Sequence, residues 1–288
     1  MYYSPILFQE IADVNITRYH DCIIDMNKLN SKNRIIIFCI HDFLYLNTLT
    51  RFLDEVSKPF VLISAMEDMQ MPLGIDEEFM IKIKSNKFFK HWFCINKTTP
   101  NDNLFTSIPY GLDYWTLIQK DHFGEKTQTI DTQNSTLESI ANITQHFSKR
   151  IPKIYGNFHF CFTDKNNGGW RKKLLKIIPK TLIYYEPIIV SRTESYKNMS
   201  EFSFVVSPFG NGFDCIRTFE ALCLGCIVIM KKSCLDIIYE DLPVLLVDEW
   251  MDVTEKLLND TLLLYSNKTF NYEKLKMDYW KNIVLSKF

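Results

Sequence analysis

Residues 202–230, FSFVVSPFGNGFDCIRTFEALCLGCIVIM, hold the densest grouping of side chains suited to chemistry. The run reads as strand, glycine-containing turn, helix, glycine stop and strand. Three of the chain's nine glycines fall in it, Gly210, Gly212 and Gly225. In so glycine-poor a chain, the first two are expected to supply positive φ and close approach by a ligand. Asp214 is placed to cap the helix that follows, and amide groups exposed at a helix start favour an anion such as a diphosphate. Arg217 and Glu220 lie three apart on one helical face, with Ile216, Phe219, Leu222 and Cys223 as the buried stripe. Arg217 is suited to neutralising phosphate charge, and Glu220 to accepting hydrogen bonds from vicinal ribose hydroxyls. The same pair also reads as an i,i+3 ion pair on an ordinary helix, because Gly-x-Gly alone is a weak motif.

Elements able to position these residues recur along the chain. Short apolar runs rich in β-formers are RIIIFCI (34–40), KPFVLIS (58–64), KHWFCIN (90–96), FHFCFT (158–163), TLIYY (181–185), FSFVVS (202–207), CIVIM (226–230) and PVLLV (243–247). Strands alternating with helical or polar segments predict an α/β fold of parallel sheets covered on both faces, with ligands beyond the carboxyl ends of the strands. The spacing breaks between about Tyr114 and Pro152, in a polar stretch read as a surface excursion and a helix. The expected domains are therefore 1–150 and 151–288. Tyr272, Leu275, Tyr279 and Ile283 fall at helical spacing, predicting a C-terminal helix that packs back across the domains.

A chain of 288 residues that is 47% apolar carries enough material for about two packed cores, which excludes disorder over most of its length. A net charge of -1 supplies no global field to draw it onto nucleic acid or anionic lipid. MYYSPILFQEIADVN has neither a basic leader nor a long apolar stretch, so no signal peptide or membrane anchor is expected, and a soluble cytoplasmic protein is the default. Most of the eight cysteines sit in apolar runs as small buried hydrophobes. Cys223 and Cys226 form a CxxC without a second ligand pair, which points to core packing and not to zinc. RIIIFCI leads into HDFLYL where a dinucleotide- or adenosylmethionine-binding unit would carry a glycine-rich turn.

The 202–230 segment resembles the C-terminal motif of the exostosin-like glycosyltransferases. Ser207, Pro208, Gly210, Asn211, Gly212, Asp214, Arg217, Glu220, Ala221, Leu222, Gly225 and Cys226 match its pattern. Weaker similarity extends over about residues 34–250, through KPFVLISAMEDMQMP, HWFCIN, SIPYGLDY and LPVLLVDEW. The resemblance implies a B-type glycosyltransferase (GT-B) fold of two Rossmann-like domains. The C-terminal domain would bind a nucleotide-diphosphate sugar, such as a UDP- or GDP-sugar, and the N-terminal one would admit a glycan or glycoprotein acceptor. Phe209 and Ile216 depart from it, standing where relatives often carry His or Arg and His. These departures motivate the alternative of a catalytically inactive module that binds glycan or a partner protein.

Transfer from such a donor needs charge stabilisation on the leaving diphosphate and, in an inverting enzyme, a base for the acceptor hydroxyl. The resemblance implies that helix N-termini and basic side chains supply the first, with no obligatory metal or other cofactor. Arg171 fits that role, following FHFCFT and the close-approach turn expected at Gly168 and Gly169. The base candidates are His41 and Asp42 after the first strand and Glu67 and Asp68 after the second. Asp42 also reads as a helix cap and Asp68 as a turn former. Asn96, Tyr110 and Gly111 are expected on the acceptor side, where Tyr110 and Trp115 offer faces for sugar rings. With no anchor expected, the chain is expected to work in the cytoplasm, as in a microbe or virus, or to arrive at its acceptor by a partner.

Overall fold

A computed structural model describes residues 1–16, 24–40, 46–65, 71, 75–99, 103–159 and 168–288. The fold is α/β, with two parallel sheets flanked by helices. The chain divides into two compact units, and these do not part near residue 150. Pro5–Tyr110 and Met277–Phe288 form the first, and Met1–Ser4 with Gly111–Lys276 form the second.

The first unit holds β1 (Val14–Ile16), β2 (Ile35–Ile40), β3 (Phe60–Ala65), β4 (Phe89–Cys94) and β5 (Phe105–Ser107), hydrogen-bonded in sequence order and all parallel. Helices α1 (Met26–Asn30), α2 (Leu46–Glu55) and α3 (Glu77–Ser85) lie between successive strands up to β4. Right-handed crossovers that never reverse direction put such helices on one face. Accordingly Ile35, Ile37, Phe60, Leu62 and Trp92 share a core with Leu29, Leu49, Phe52, Phe79 and Ile83. The alternate residues Ile36, Phe38, Val61, Ile63 and Phe93 are equally buried on the opposite face, where the Phe8 ring stands 6.3 Å from that of Phe38. Burial on both faces is why these strands read as continuous apolar runs.

The second unit contains α4 (Trp115–Gln119), α5 (Ile130–Ile143), β6 (Ile151–Gly156), α6 (Gly168–Ile177), β7 (Ile183–Tyr185), α7 (Arg192–Ser200), β8 (Phe202–Val206), α8 (Ile216–Cys223), β9 (Ile227–Lys231), α9 (Asp236–Tyr239), β10 (Val244–Val247) and α10 (Glu255–Ser266). Its sheet runs β10-β9-β8-β6-β7, all parallel. The chain therefore steps from β6 to β7 on one side, then crosses back to β8 on the other. Such a reversal opens a crevice outside the carboxyl ends of the two strands that flank it, here β6 and β8. Leu174 of α6, Ile178 just after that helix and Leu258 of α10 pack with Ile154, Phe204, Ile227 and Ile229 on one face.

Residues 111–150 join the second unit for a concrete reason. Helix α5 buries Gln133, Asn134, Leu137 and Ile140. The Gln133 side chain donates to the Tyr114 carbonyl at 3.0 Å, and Asn134 accepts from the Tyr114 hydroxyl at 3.0 Å and the Tyr2 amide at 2.9 Å. The terminal helical pattern breaks in two. Tyr272–Leu275 is a 3-10 turn in the second unit, and α11 (Met277–Leu285) belongs to the first. The stripe α11 buries is Met277, Trp280 and Val284, in place of the expected Tyr279 and Ile283. Strand β6 is a second difference. It covers 151–156, ahead of the expected strand FHFCFT; of that segment Phe158 and His159 follow the end of β6 with no strand pairing, and residues 160–163 lie outside the described residues.

Candidate functional site

The end of β8 leads into Ser207–Asp214 and then α8, the order expected from the sequence. Locally the turn differs from that expectation. Neither Gly210 nor Gly212 adopts positive φ, and the glycine in the left-handed region is Gly225, at φ 71°. What Gly210 supplies is room. A Cβ there would lie 2.9 Å from Arg171 Nη2 and 3.3 Å from Cys215 Sγ, so the close approach is to a side chain of the same unit. The Gly210 amide donates to the Gly212 carbonyl at 3.0 Å. Asp214 does not cap α8. Cys215 occupies the cap position without a side-chain bond, and the buried Asp214 carboxylate accepts from the Tyr239 hydroxyl at 2.5 Å.

Arg171 lies one turn into α6 and is buried. Gly168 and Gly169 are the first residues of that helix and not a turn before it. Arg171 Nε donates to the Phe209 carbonyl at 2.9 Å and Nη1 to the His159 carbonyl at 3.1 Å. One guanidinium thus ties the turn after β8 to the segment after β6, across the mouth of the crevice. Ser207 is buried, its hydroxyl paired at 2.9 Å with that of Thr218 in α8. Asn211 is exposed at the tip of the turn.

Arg217 is arranged differently. It is only partly exposed, its Nε donates to Asn157 Oδ1 at 2.9 Å, and its guanidinium lies 5.6 Å from the centre of the Phe158 ring. Nη1 is buried and has no acceptor among the described residues. A buried charged donor left unsatisfied costs about 1–3 kcal/mol or more. Burial lowers the Arg217 pKa, and the nearby Arg171 charge adds to that, against the opposing influence of Cys215, Glu220 and Tyr185. His159, exposed at the same rim, has its pKa lowered by desolvation and then by Arg217 and Arg171. The local field is therefore positive, and one of the Arg217 guanidinium nitrogens lacks an acceptor among the described residues.

Arg217 and Glu220 do not pair with each other, so the ion-pair reading of their spacing does not hold. Glu220 Oε1 accepts from the Tyr196 hydroxyl at 2.9 Å and lies 3.5 Å from Arg192 Nε, both on α7. Asn157, His159, Arg192 and Tyr196 were not legible as site residues. The shifted position of β6 hid the first two, because a carboxyl-end residue is recognisable only once the strand end is known.

The remaining expectations fall elsewhere. His41, Asp42, Glu67 and Asp68 lie outside the described residues. In the first unit Asn96 is fully buried just after β4, in the left-handed region at φ 49°, and Tyr110 is half-buried. Gly111 opens the second unit at φ 70°. Cys223 and Cys226 are buried free thiols, and Cys226 Sγ accepts from Arg150 Nη1 at 3.2 Å. Among the described residues no group of three or more His, Cys, Asp or Glu is placed to hold a metal ion. No helix among them is long and apolar enough to cross a membrane. Compared with protein-family models and with curated proteins, the chain matches none.

Proposed function

We propose that this chain is a glycosyltransferase of GT-B type that moves a sugar from a nucleotide-diphosphate donor to an acceptor hydroxyl, with inversion and without a required metal. The observation that carries the reading is Arg217. Its Nε is held by Asn157, its Nη1 is buried with no acceptor among the described residues, and it stands at the strand-order reversal where parallel sheets take ligands. A planar guanidinium presented in this way suits bidentate binding of a phosphate oxygen pair. The similarity of residues 207–226 to the exostosin-like motif supports the same assignment.

In this reading the bond between the anomeric carbon and the diphosphate oxygen breaks as the acceptor oxygen bonds to that carbon. The leaving diphosphate takes the electron pair, and Arg217 receives the growing charge with Arg171 beside it. Arg171 also holds the Phe209 and His159 carbonyls in place. Glu220 keeps one oxygen on Tyr196 and Arg192 and offers the other to ribose hydroxyls. The acceptor proton goes to a base, for which His41, Asp42 and Asp68 are the candidates that the sequence offers.

Calorimetric titration with UDP and GDP tests this. Binding that Arg217→Ala weakens by about 2–3 kcal/mol, together with transfer from the matching sugar nucleotide, is expected. Absence of binding to either nucleotide would overturn the reading. Binding without transfer or donor hydrolysis would favour the inactive, glycan- or partner-binding alternative that Phe209 and Ile216 motivate.

A further inference from the structure

Arg217 and Glu220 sit at a spacing that ordinarily produces an ion pair on a helix, yet Glu220 is bonded the other way. Its Oε1 lies 3.5 Å from Arg192 Nε and accepts from Tyr196 at 2.9 Å. Arg192 is itself fixed from several directions. Its Nη1 donates to the Asp113 carbonyl at 2.8 Å and to Gln133 Oε1 at 3.3 Å, and its Nη2 stands 4.0 Å from Asp113 Oδ2. Its guanidinium lies 4.1 Å from the centre of the Phe123 ring. Phe123 holds φ 53°, in the left-handed region that a bulky residue rarely enters, and its carbonyl accepts the Arg192 amide at 2.9 Å. The next amide, of Thr193, donates to Glu125 Oε1 at 2.5 Å. The short 122–125 turn thus clasps the start of α7 and seats Arg192 against Glu220.

We propose that Arg192 is a positioning residue that holds the Glu220 carboxylate away from Arg217 and thereby keeps Arg217 open to an external anion. Without Arg192, Glu220 turns along α8 to pair with Arg217 and closes the site from within. The inference rests on the reading of Arg217 as an anion-binding group. It does not depend on nucleotide or sugar identity.

The test uses inorganic pyrophosphate, which carries no ribose for Glu220 to contact, titrated calorimetrically at fixed low ionic strength. Wild type, Arg192→Met and the double variant Arg192→Met/Glu220→Gln are compared. Arg192→Met is expected to weaken pyrophosphate at least about tenfold. The double variant should return to within about threefold of wild type, because glutamine brings no charge to neutralise Arg217. Rescue is the discriminating readout, since a merely structural role of Arg192 would not be repaired by changing Glu220. If Arg192→Met does not fold, Arg192→Gln with and without Glu220→Gln carries the same comparison, the glutamine bringing an amide in place of the charge that holds Glu220. An unweakened single variant, or a weakened one that the second change fails to rescue, overturns the inference alone. A wild type that binds no pyrophosphate overturns the anion-site reading itself, and this inference with it.

Discussion

Arg217 Nε and Asn157 Oδ1, 2.9 Å apart, join α8 to the residue that directly follows β6. That bond decides which part of the guanidinium is left over. With Nε committed and the Phe158 ring centre 5.6 Å from the guanidinium, Nη1 is the nitrogen left without an acceptor among the described residues. Asn157 is fixed in turn by donating from its amide to Ser195 Oγ on α7.

Removing this support should therefore cost ligand more than fold. Asn157→Ala is expected to weaken nucleotide diphosphate binding about tenfold, equivalent to ~1.4 kcal/mol. Arg217→Ala should cost about 2–3 kcal/mol, within the range for hydrogen bonds to charged groups. Titration calorimetry checks both, with melting temperatures recorded alongside. An Asn157 variant that binds as tightly as wild type would show that Arg217 is held by something else.

Gly210→Ala tests the contact with Arg171. Its new Cβ would come within 2.9 Å of Nη2, and the guanidinium cannot simply leave while it bonds the Phe209 and His159 carbonyls. Overpacking of this kind costs about 1–3 kcal/mol. Chemical denaturation should report a loss in that range, accompanied by weaker diphosphate binding. Retention of both stability and binding would mean that the turn yields.

His159 gives the pH dependence its sign. Desolvation and the two arginines hold its pKa below the ordinary 6.5, so the unliganded fold favours neutral imidazole and loses stability as pH falls through that value. An anion seated on Arg217 offsets the arginine charge and favours imidazolium. Binding should then take up protons and tighten as pH drops below 6.5. The measurement is affinity against pH for wild type and His159→Asn. Their difference cancels the ligand's own phosphate titration, and identical profiles would remove His159 from the site.

Gly225 bears on stability independently of ligand. It follows α8 at φ 71°, where the Cys226 amide reaches the Ala221 carbonyl at 2.9 Å and the Gly225 amide that of Leu222 at 3.0 Å, the paired bonds of a Schellman stop. Gly225→Ala should destabilise the protein by about 1–2 kcal/mol through the left-handed backbone. Thermal melting should show the loss, and an unchanged melting temperature would contradict it.

The most apolar strands were the most legible, because burial on both faces writes an uninterrupted run such as RIIIFCI or FSFVVS. Strand β6 escaped because IPKIYG exposes Ile151, Pro152 and Lys153 and buries only its last three residues. The short edge-forming β1 and β5, of three residues each, carry too few positions to make a pattern. In the candidate site, residue types that announce charge, Arg171, Arg217 and Glu220, stand out by type and spacing. Their partners were not, since Asn157 and Arg192 lie 60 and 25 positions from Arg217 and meet α8 only through the sheet's reversal and the packing of α7. The role of Gly210 was misread for a related reason, as steric room for a neighbouring arginine leaves no trace in local sequence.

The interleaving of the two units carries a consequence for synthesis. The Tyr3 amide donates to the Leu275 carbonyl at 2.8 Å, and the first unit includes α11, whose Met277, Trp280 and Val284 are buried. Neither unit can close before residues 275–284 have left the ribosome. Each must wait for contacts between segments far apart in sequence, so the nascent chain depends on long-range contacts formed late. A ribosome stalled before residue 275 should expose a chain with neither unit completed, and an added protease should go on cleaving the nascent protein in both units until residues 275–284 have emerged.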